Sequence, residues 1–377
     1  MSQPIDMPRW LDLVVLPLVN LALAFAVSAV VLLAIGQEPW QVLTLLVKGA
    51  FASRGGLSYT LYYATTFVFT GLAVAVAFHA GLFNIGGEGQ AMMGGLGAGL
   101  MALGLADALP AWLLLPLMVL TAMAFGMAWA AVPGALQAWR GSHVVITTIM
   151  FNFIASALLI YLLVNVLKEP GNMTPESRLF GPAAQLPGAH EVLAWFGIDW
   201  PRTPLNFSLL LAMAAALSVY LLVWRSQPGY ALRTVGYTPA AAHYAGIRPQ
   251  TQIVRAMAIS GGLAALVGIN EIAGVHNRLM ADFVAGAGFT GIAVSLIGRN
   301  HPVGIVLASL LFGALYQGGA ELAFEINGFS RDMVFMLQGL VVLFAGAMAR
   351  VAAPTLARLW RAVSARRTVV ATGAGHG

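Results

Sequence analysis

Three stretches of this chain place polar side chains where the surrounding sequence is apolar. The chemistry open to them is hydrogen bonding and close packing, not bond making. The first is the run GLFNIGGEGQ at residues 81–90. Asn84, Glu88 and Gln90 are poor lipid-facing groups, since a carboxylate at mid-bilayer costs roughly 2.5–3.5 kcal/mol. The glycines between them let backbones approach closely or unwind the helix. Such a break would line or gate a solute pathway, with Phe83 beside the polar groups. The competing reading is a polar turn at the membrane surface. The second stretch, GSHVVITTIMFN at residues 141–152, opens an apolar span. Thr148 and Asn152 are four residues apart and share a helix face. Asn152 should therefore point to a pore or to another helix. Interhelical hydrogen bonding is the simpler role for Thr148, Asn152 and Ser156 taken singly.

The third stretch is GYALRTVGYTPAAAHYAGI, residues 229–247. Thr238 suits an N-cap and Pro239 the first helical position. Ala240, Ala241 and Ala242 continue the helix, His243 and Tyr244 close it, and Gly246 suits the residue past its end. The spacing predicts a two-turn helix with no charged residue between Arg233 and Arg248. A short knob of small residues fits a groove on another protein. The alternative is a solvated connector, which would usually carry Lys and Glu. A fourth group, Glu271, His276, Asn277, Arg278 and Asp282, reads as a polar, ion-paired outer loop.

The elements that must position these residues follow from composition. Charged residues make up 9% of the chain and apolar ones 59%, against roughly 25% charged in a soluble domain. A soluble surface of this size cannot be covered that way. Spans of about 20 apolar residues cross a bilayer, and the charge-free gaps place them at 12–35, 59–79, 88–106, 112–137, 143–167, 206–224, 252–270, 284–298, 302–320 and 333–350. In lipid the backbone must satisfy its own hydrogen bonds, so these are helices. The chain reads as an all-α polytopic membrane protein of about ten transmembrane helices. The eighth span is short and glycine-loosened, as a half-helix beside a re-entrant loop would be. Helices 2–5 and 7–10 run in opposite senses, and each block holds a glycine-broken element, the pattern of an inverted repeat.

Ten spans put both termini on one side. With that side cytoplasmic, the cytoplasmic segments carry twelve of the Lys and Arg residues and the outer segments seven, as the positive-inside rule requires. The first span, accompanied by Asp6, Arg9 and Asp12, reads as a retained helix and not a cleaved signal. Residues 1–350 form one transmembrane domain, with a cytoplasmic loop at 225–251, a long outer loop at 168–205, and a basic tail at 351–377. The net charge of +5 reflects basic loops facing lipid headgroups, not nucleic-acid binding.

Chemistry of several kinds is excluded. The chain has no cysteine, and its two lysines, Lys48 and Lys168, follow no glycine. A phosphate-binding loop is therefore missing, and no histidines stand at metal-ligand spacing. No nucleophile elbow is present. The expectation is a non-enzymatic chain with no catalytic residue, metal or cofactor of its own.

These stretches, in this order, resemble the permease subunits of nucleoside and simple-sugar ATP-binding-cassette importers, a family related to branched-chain amino-acid permeases. The run GIAVSLIGRNHP at residues 291–302 adds to the resemblance, which covers roughly residues 58–350. GLFNIGGEGQ looks like the nucleoside branch in particular. The resemblance implies the ten-helix importer fold in a bacterial cytoplasmic membrane. It implies a second permease subunit, identical or homologous, a cytoplasmic ATPase that binds ATP and Mg, and an extracytoplasmic binding protein. The helix from Thr238 to Tyr244 would be the coupling helix. Phe83, Asn84, Glu88, Gln90, Thr148 and Asn152 would lie along the solute pathway. One departure stands out: Ser142-His143 replaces the Asn-Glu common in such permeases. The alternative is an ion-coupled secondary transporter, for which Glu88 and Glu271 are the only candidate relay groups. Nucleosides, nucleobases, sugars and flavin-like compounds all remain open as solutes.

Overall fold

The computed structural model describes residues 15–326, 333–340 and 343, together with residues 8 and 11. It divides into two units. One comprises Met1–Leu45 with Leu322–Gly377, and its described part includes helix α1 (Leu16–Ala34). Residues 333–340 of the expected tenth span are helical. Residues 341, 342 and 344–350 of that span, residues 12–14 of the first, and the basic tail 351–377 lie outside the described residues. The larger unit, Leu46–Glu321, carries the three stretches singled out above.

Helix α2 (Pro39–Val47) leads through a wide π-helical turn into α3 (Gly56–His79). Then come α4 (Gly87–Leu105), α5 (Ala111–Arg140), α6 (Val144–Leu162), the short α7 (Ala189–Ala194), α8 (Ser208–Arg225), α9 (Gln227–Tyr237), α10 (Pro239–Tyr244), α11 (Pro249–Gly268), α12 (Ala287–Ile297) and α13 (Pro302–Glu325). Among the described residues there is no strand, only isolated bridges such as Gly188–Asn206. Among the described residues, six helices are long and apolar enough to cross a membrane.

Helix α3 is the centre of the larger unit: 78% of its most apolar window is buried, against 22% for α5 and for α6. The outward faces of α5 and α6 are apolar, as lipid demands. Small residues set the packing. Gly126 of α5 and Gly261 of α11 meet backbone to backbone, and a Cβ on either would strike the other's carbonyl oxygen. Gly94 of α4 lies against Ala265 in the same way.

The boundaries differ from the sequence reading in informative places. The seventh span does not stop at residue 270. Helix α11 runs on as the wide-turned stretch Ile269–His276, so Glu271 is not in a loop. It is buried inside that stretch, because side-chain partners on α3 replace the water a loop would supply. Of the expected outer-loop ion pairs, Arg278 does pair, at 2.7 Å, but with Glu176 of the long connection between α6 and α8. Helices α2, α7 and α9 were not anticipated. The eighth span is the expected half-helix, eleven residues long.

Candidate functional site

The break after α3 starts with a glycine stop. Gly81 adopts φ +73°. Its N–H bonds the Phe78 carbonyl at 3.0 Å, and the Leu82 N–H bonds the Ala77 carbonyl at 3.0 Å. These are the two bonds that close a helix on a left-handed residue. The chain then turns back inward. The Asn84 amide donates to Ser260 Oγ of α11 at 2.8 Å, and that hydroxyl donates to the Ala73 carbonyl at 2.6 Å. Ala73 lies six residues before the end of α3, about 9 Å up its axis. The segment 82–87 is therefore re-entrant, not a turn at the helix end.

The polar side chains of this element are fully used. Asn84 Oδ1 accepts from the Gly86 N–H at 2.8 Å and from Gln90 Nε2 at 3.1 Å. Asn84 Nδ2 donates back to Gln90 Oε1 at 2.9 Å. Asn152 reaches across from α6: its Oδ1 accepts from the Gly89 N–H and its Nδ2 donates to the Ile85 carbonyl, both at 2.9 Å. Thr148, one turn earlier, is buried beside Gly86. Its hydroxyl bonds the Val144 carbonyl of its own helix at 2.8 Å. Phe83 is half-buried and meets Phe78 edge-on with ring centres 6.3 Å apart. The sequence-derived residues 83, 84, 88, 90, 148 and 152 thus gather around one element.

Glu88 ties that element to the second glycine-broken one. Its Oε1 accepts from the Gly286 N–H at 2.8 Å and its Oε2 from the Gly288 N–H at 2.9 Å. A carboxylate on one helix thereby caps the N-terminus of another, where free N–H groups and the helix dipole favour negative charge. The backbones are in contact as well, since a Cβ on Gly288 would overlap the Glu88 amide nitrogen. The depth of this crossing follows from the packing. Gly291 lies against Thr70 of α3, near the middle of that 24-residue helix. Helices α3 and α11 are antiparallel, Ser260 lying beside Ala73 and Glu271 beside Tyr62. Their following connections therefore leave from opposite ends, and both return to meet midway.

A second polar hub was missed in the sequence. Glu271 accepts from the Tyr62 hydroxyl, from Thr66 Oγ1 at 2.8 Å and from Asn270 Nδ2 at 3.3 Å. Asn270 Oδ1 in turn accepts from Asn206 Nδ2 at 3.0 Å and Ser208 Oγ at 2.5 Å. The available signal was three polar residues, Tyr62, Thr66 and Thr70, at helical spacing in an apolar span.

The knob is built as its punctuation predicts, with one difference. Helix α10 is closed by Gly246 at φ +76° and by bonds from the Gly246 and Ile247 N–H groups to the His243 and Ala242 carbonyls, both 3.0 Å. Thr238 stands at the N-cap, but its side chain makes no capping bond. Pro239, Ala240, Ala241, His243 and Tyr244 are exposed, and Ala242 is buried. Behind the knob, α9 is pinned at its start, where Ser226 Oγ accepts from the Gly229 N–H at 3.2 Å. Near its end, Gly236 lies on the turn that closes α3, close enough that a Cβ would overlap the His79 carbonyl oxygen. The knob, α9 and the re-entrant break form a continuous packed path.

Residues 56–346 match the model of the branched-chain amino acid transport system permease component family. A glucose ABC transporter permease protein of Haloferax volcanii is 36% identical over 343 residues, 89% of this chain and 88% of the relative. A guanosine ABC transporter permease protein of Bacillus subtilis is 33% identical, covering 90% and 94% of the two chains. A nucleoside ABC transporter permease protein of Lactococcus lactis is 31% identical, covering 88% and 90%. With its re-entrant elements inside a bundle of apolar helices, the chain belongs to this family of ABC transporter permeases.

Proposed function

We propose that this permease forms half of the translocation pathway of an ATP-driven importer for nucleosides or related small solutes. A second permease chain supplies the other half, a cytoplasmic ATPase the drive, and an extracytoplasmic binding protein the solute. The membrane is the bacterial cytoplasmic membrane, with both termini cytoplasmic. One observation carries the reading: an exposed, uncharged helix, α10, backed by α9, rests through Gly236 on the turn from which the re-entrant element departs. Motion imposed on α10 from outside the membrane reaches residues 82–90 without crossing a flexible joint. Phe83 fronts the pathway, and Asn84, Glu88, Gln90, Thr148 and Asn152 hold the wall behind it. ATP and Mg belong to the partner subunit, because the chain has no phosphate loop. Glucose, guanosine and nucleosides are named for the relatives. The GLFNIGGEGQ run favours nucleosides here.

The test is reconstitution with the ATPase and binding protein. Ala241→Glu places a carboxylate on the docking face, where burial without a partner is costly. Transport should be lost and ATPase retention weakened, while the chain still inserts. Normal transport with the ATPase held as firmly as before would reduce α10 to a connector. Competition by unlabelled nucleosides, and none by glucose, identifies the solute class.

A further inference from the structure

The long outer connection between α6 and α8 ends in a fixed apolar tip. It is closed at its base by the Gly188–Asn206 bridge, with the Ala189 N–H on the Leu205 carbonyl at 2.7 Å. The base is held to the wide-turned end of α11 by the Leu186 N–H on the Ala273 carbonyl at 2.9 Å. From this base rises α7, and after it Trp195, Phe196 and Ile198 are 78%, 75% and 48% exposed. No charged residue stands between Glu191 and Asp199. The tip is rigid: the Ile198 N–H bonds the Leu193 carbonyl at 3.1 Å, the Gly197 N–H bonds the Ala194 carbonyl at 3.0 Å, and Gly197 sits at φ +75°. This closed helix stop holds two aromatic rings outward.

We infer that this tip is a lipid anchor, seated at the headgroup–acyl boundary of the leaflet where α3 begins. Its level is set by Trp200, whose indole N–H donates to Ser58 Oγ at 2.7 Å. Ser58 is the third residue of the central span. Ile198 and Phe196 are two and four residues from Trp200, at most about 7 and 14 Å along the chain. The interfacial layer on each side of the hydrocarbon is about 6 Å thick, so the tip stands within reach of it. A second exposed tryptophan marks the same face: Trp112, 76% exposed, is the second residue of α5. That helix follows the end of α4, where Arg178 of the outer connection donates to the Leu103 carbonyl at 2.8 Å. Tryptophan and aromatic side chains concentrate at such boundaries, where an amphipathic ring suits the headgroup level. An uncharged, aromatic, rigid tip at this level fits lipid better than a polar protein partner.

The chain has no cysteine, so single-cysteine variants report cleanly. Phe196→Cys and Ile198→Cys, each labelled with an environment-sensitive fluorophore, are placed in the full chain in liposomes. Met173→Cys, at a 96% exposed position in the same connection, is the control. The expected result is blue-shifted emission at 196 and 198, and loss of intensity to lipids carrying a nitroxide near the headgroup, with water-like emission at 173. Water-like emission at both tip positions overturns the inference. So does a blue shift that appears only when the binding protein is added, which would make the tip a protein-docking surface. Neither outcome depends on which solute is carried or on whether α10 docks an ATPase.

Discussion

Glu88 and Glu271 are buried to the same degree, each 6% exposed, yet they are held in opposite ways. Glu88 is gripped by two backbone N–H groups, those of Gly286 and Gly288. Glu271 is gripped by the side chains of Tyr62, Thr66 and Asn270. A backbone N–H can only donate, and its position is fixed by the helix it starts. A hydroxyl donates or accepts and can turn. The Glu88 crossing is therefore a rigid, one-way fit between two broken helices, and the Glu271 hub is an adaptable one. A wall that moves as a unit, as the proposed pathway requires, suits the first arrangement. A tie between α3, α11 and the connection from α6 to α8 tolerates the second.

The sharpest way to break the crossing is to separate its backbones. Gly288→Val puts a branched Cβ onto the Glu88 amide nitrogen. Overpacking costs about 1–3 kcal/mol, and against backbone that cannot move aside the upper end, about 3 kcal/mol, is expected. We expect a large fall in the thermal denaturation midpoint in detergent and no transport after reconstitution. A variant with wild-type stability would mean that the two elements do not touch.

Glu88→Gln tests the one-way nature of the grip. One carboxylate oxygen becomes an NH2 group facing a backbone N–H, so a donor meets a donor. Leaving a buried donor unsatisfied costs about 1–3 kcal/mol. The expected loss is about 2 kcal/mol, measured by denaturation. Glu88→Asp should not restore the loss, because the shorter side chain cannot span both amides.

Tyr62→Phe removes one donor from the adaptable hub. The Glu271 carboxylate loses its Tyr62 bond and keeps those from Thr66 and Asn270. The expected cost is about 1–2 kcal/mol, below that of Glu88→Gln, with insertion unaffected. A cost above that of Glu88→Gln would reverse the ranking of the two sites.

How far each region could be read from sequence follows the same division. The element at 81–90 was legible because Asn84, Glu88 and Gln90 stand out in apolar surroundings, and α10 because a proline and a glycine bracket it. Which groups meet Glu88 was not legible, since backbone amides leave no mark in a sequence. Glu271 was misplaced because a hydropathy window ends where polar residues begin. The Ile269–His276 stretch continues as helix through wide turns that have no composition of their own. Pro39 and Pro228 mark the starts of α2 and α9, but α2, though apolar, is only nine residues long, too short for a span, and α9 is too polar for one. The glycine pairs, Gly126 with Gly261 and Gly87 with Gly288, announce close packing, but periodicity names no partner.

The smallest effect is expected from Glu271→Gln, the exact counterpart in chemistry of Glu88→Gln. The new amide keeps one oxygen to accept from Thr66 and Asn270. Its NH2 group faces the Tyr62 oxygen, which accepts once the hydroxyl turns away. No buried donor is forced against another donor. What is lost is the added strength of bonds to a charged acceptor and the acceptor of the Tyr62 O–H as it turns away. The cost should stay under about 1 kcal/mol, that of an ordinary hydrogen bond, and transport should persist. Because both carboxylates are equally buried, the pair of Gln variants separates the effect of partner type from that of burial. Equal losses at the two sites would show that desolvation alone governs them, and that the distinction between backbone and side-chain partners carries no energetic weight.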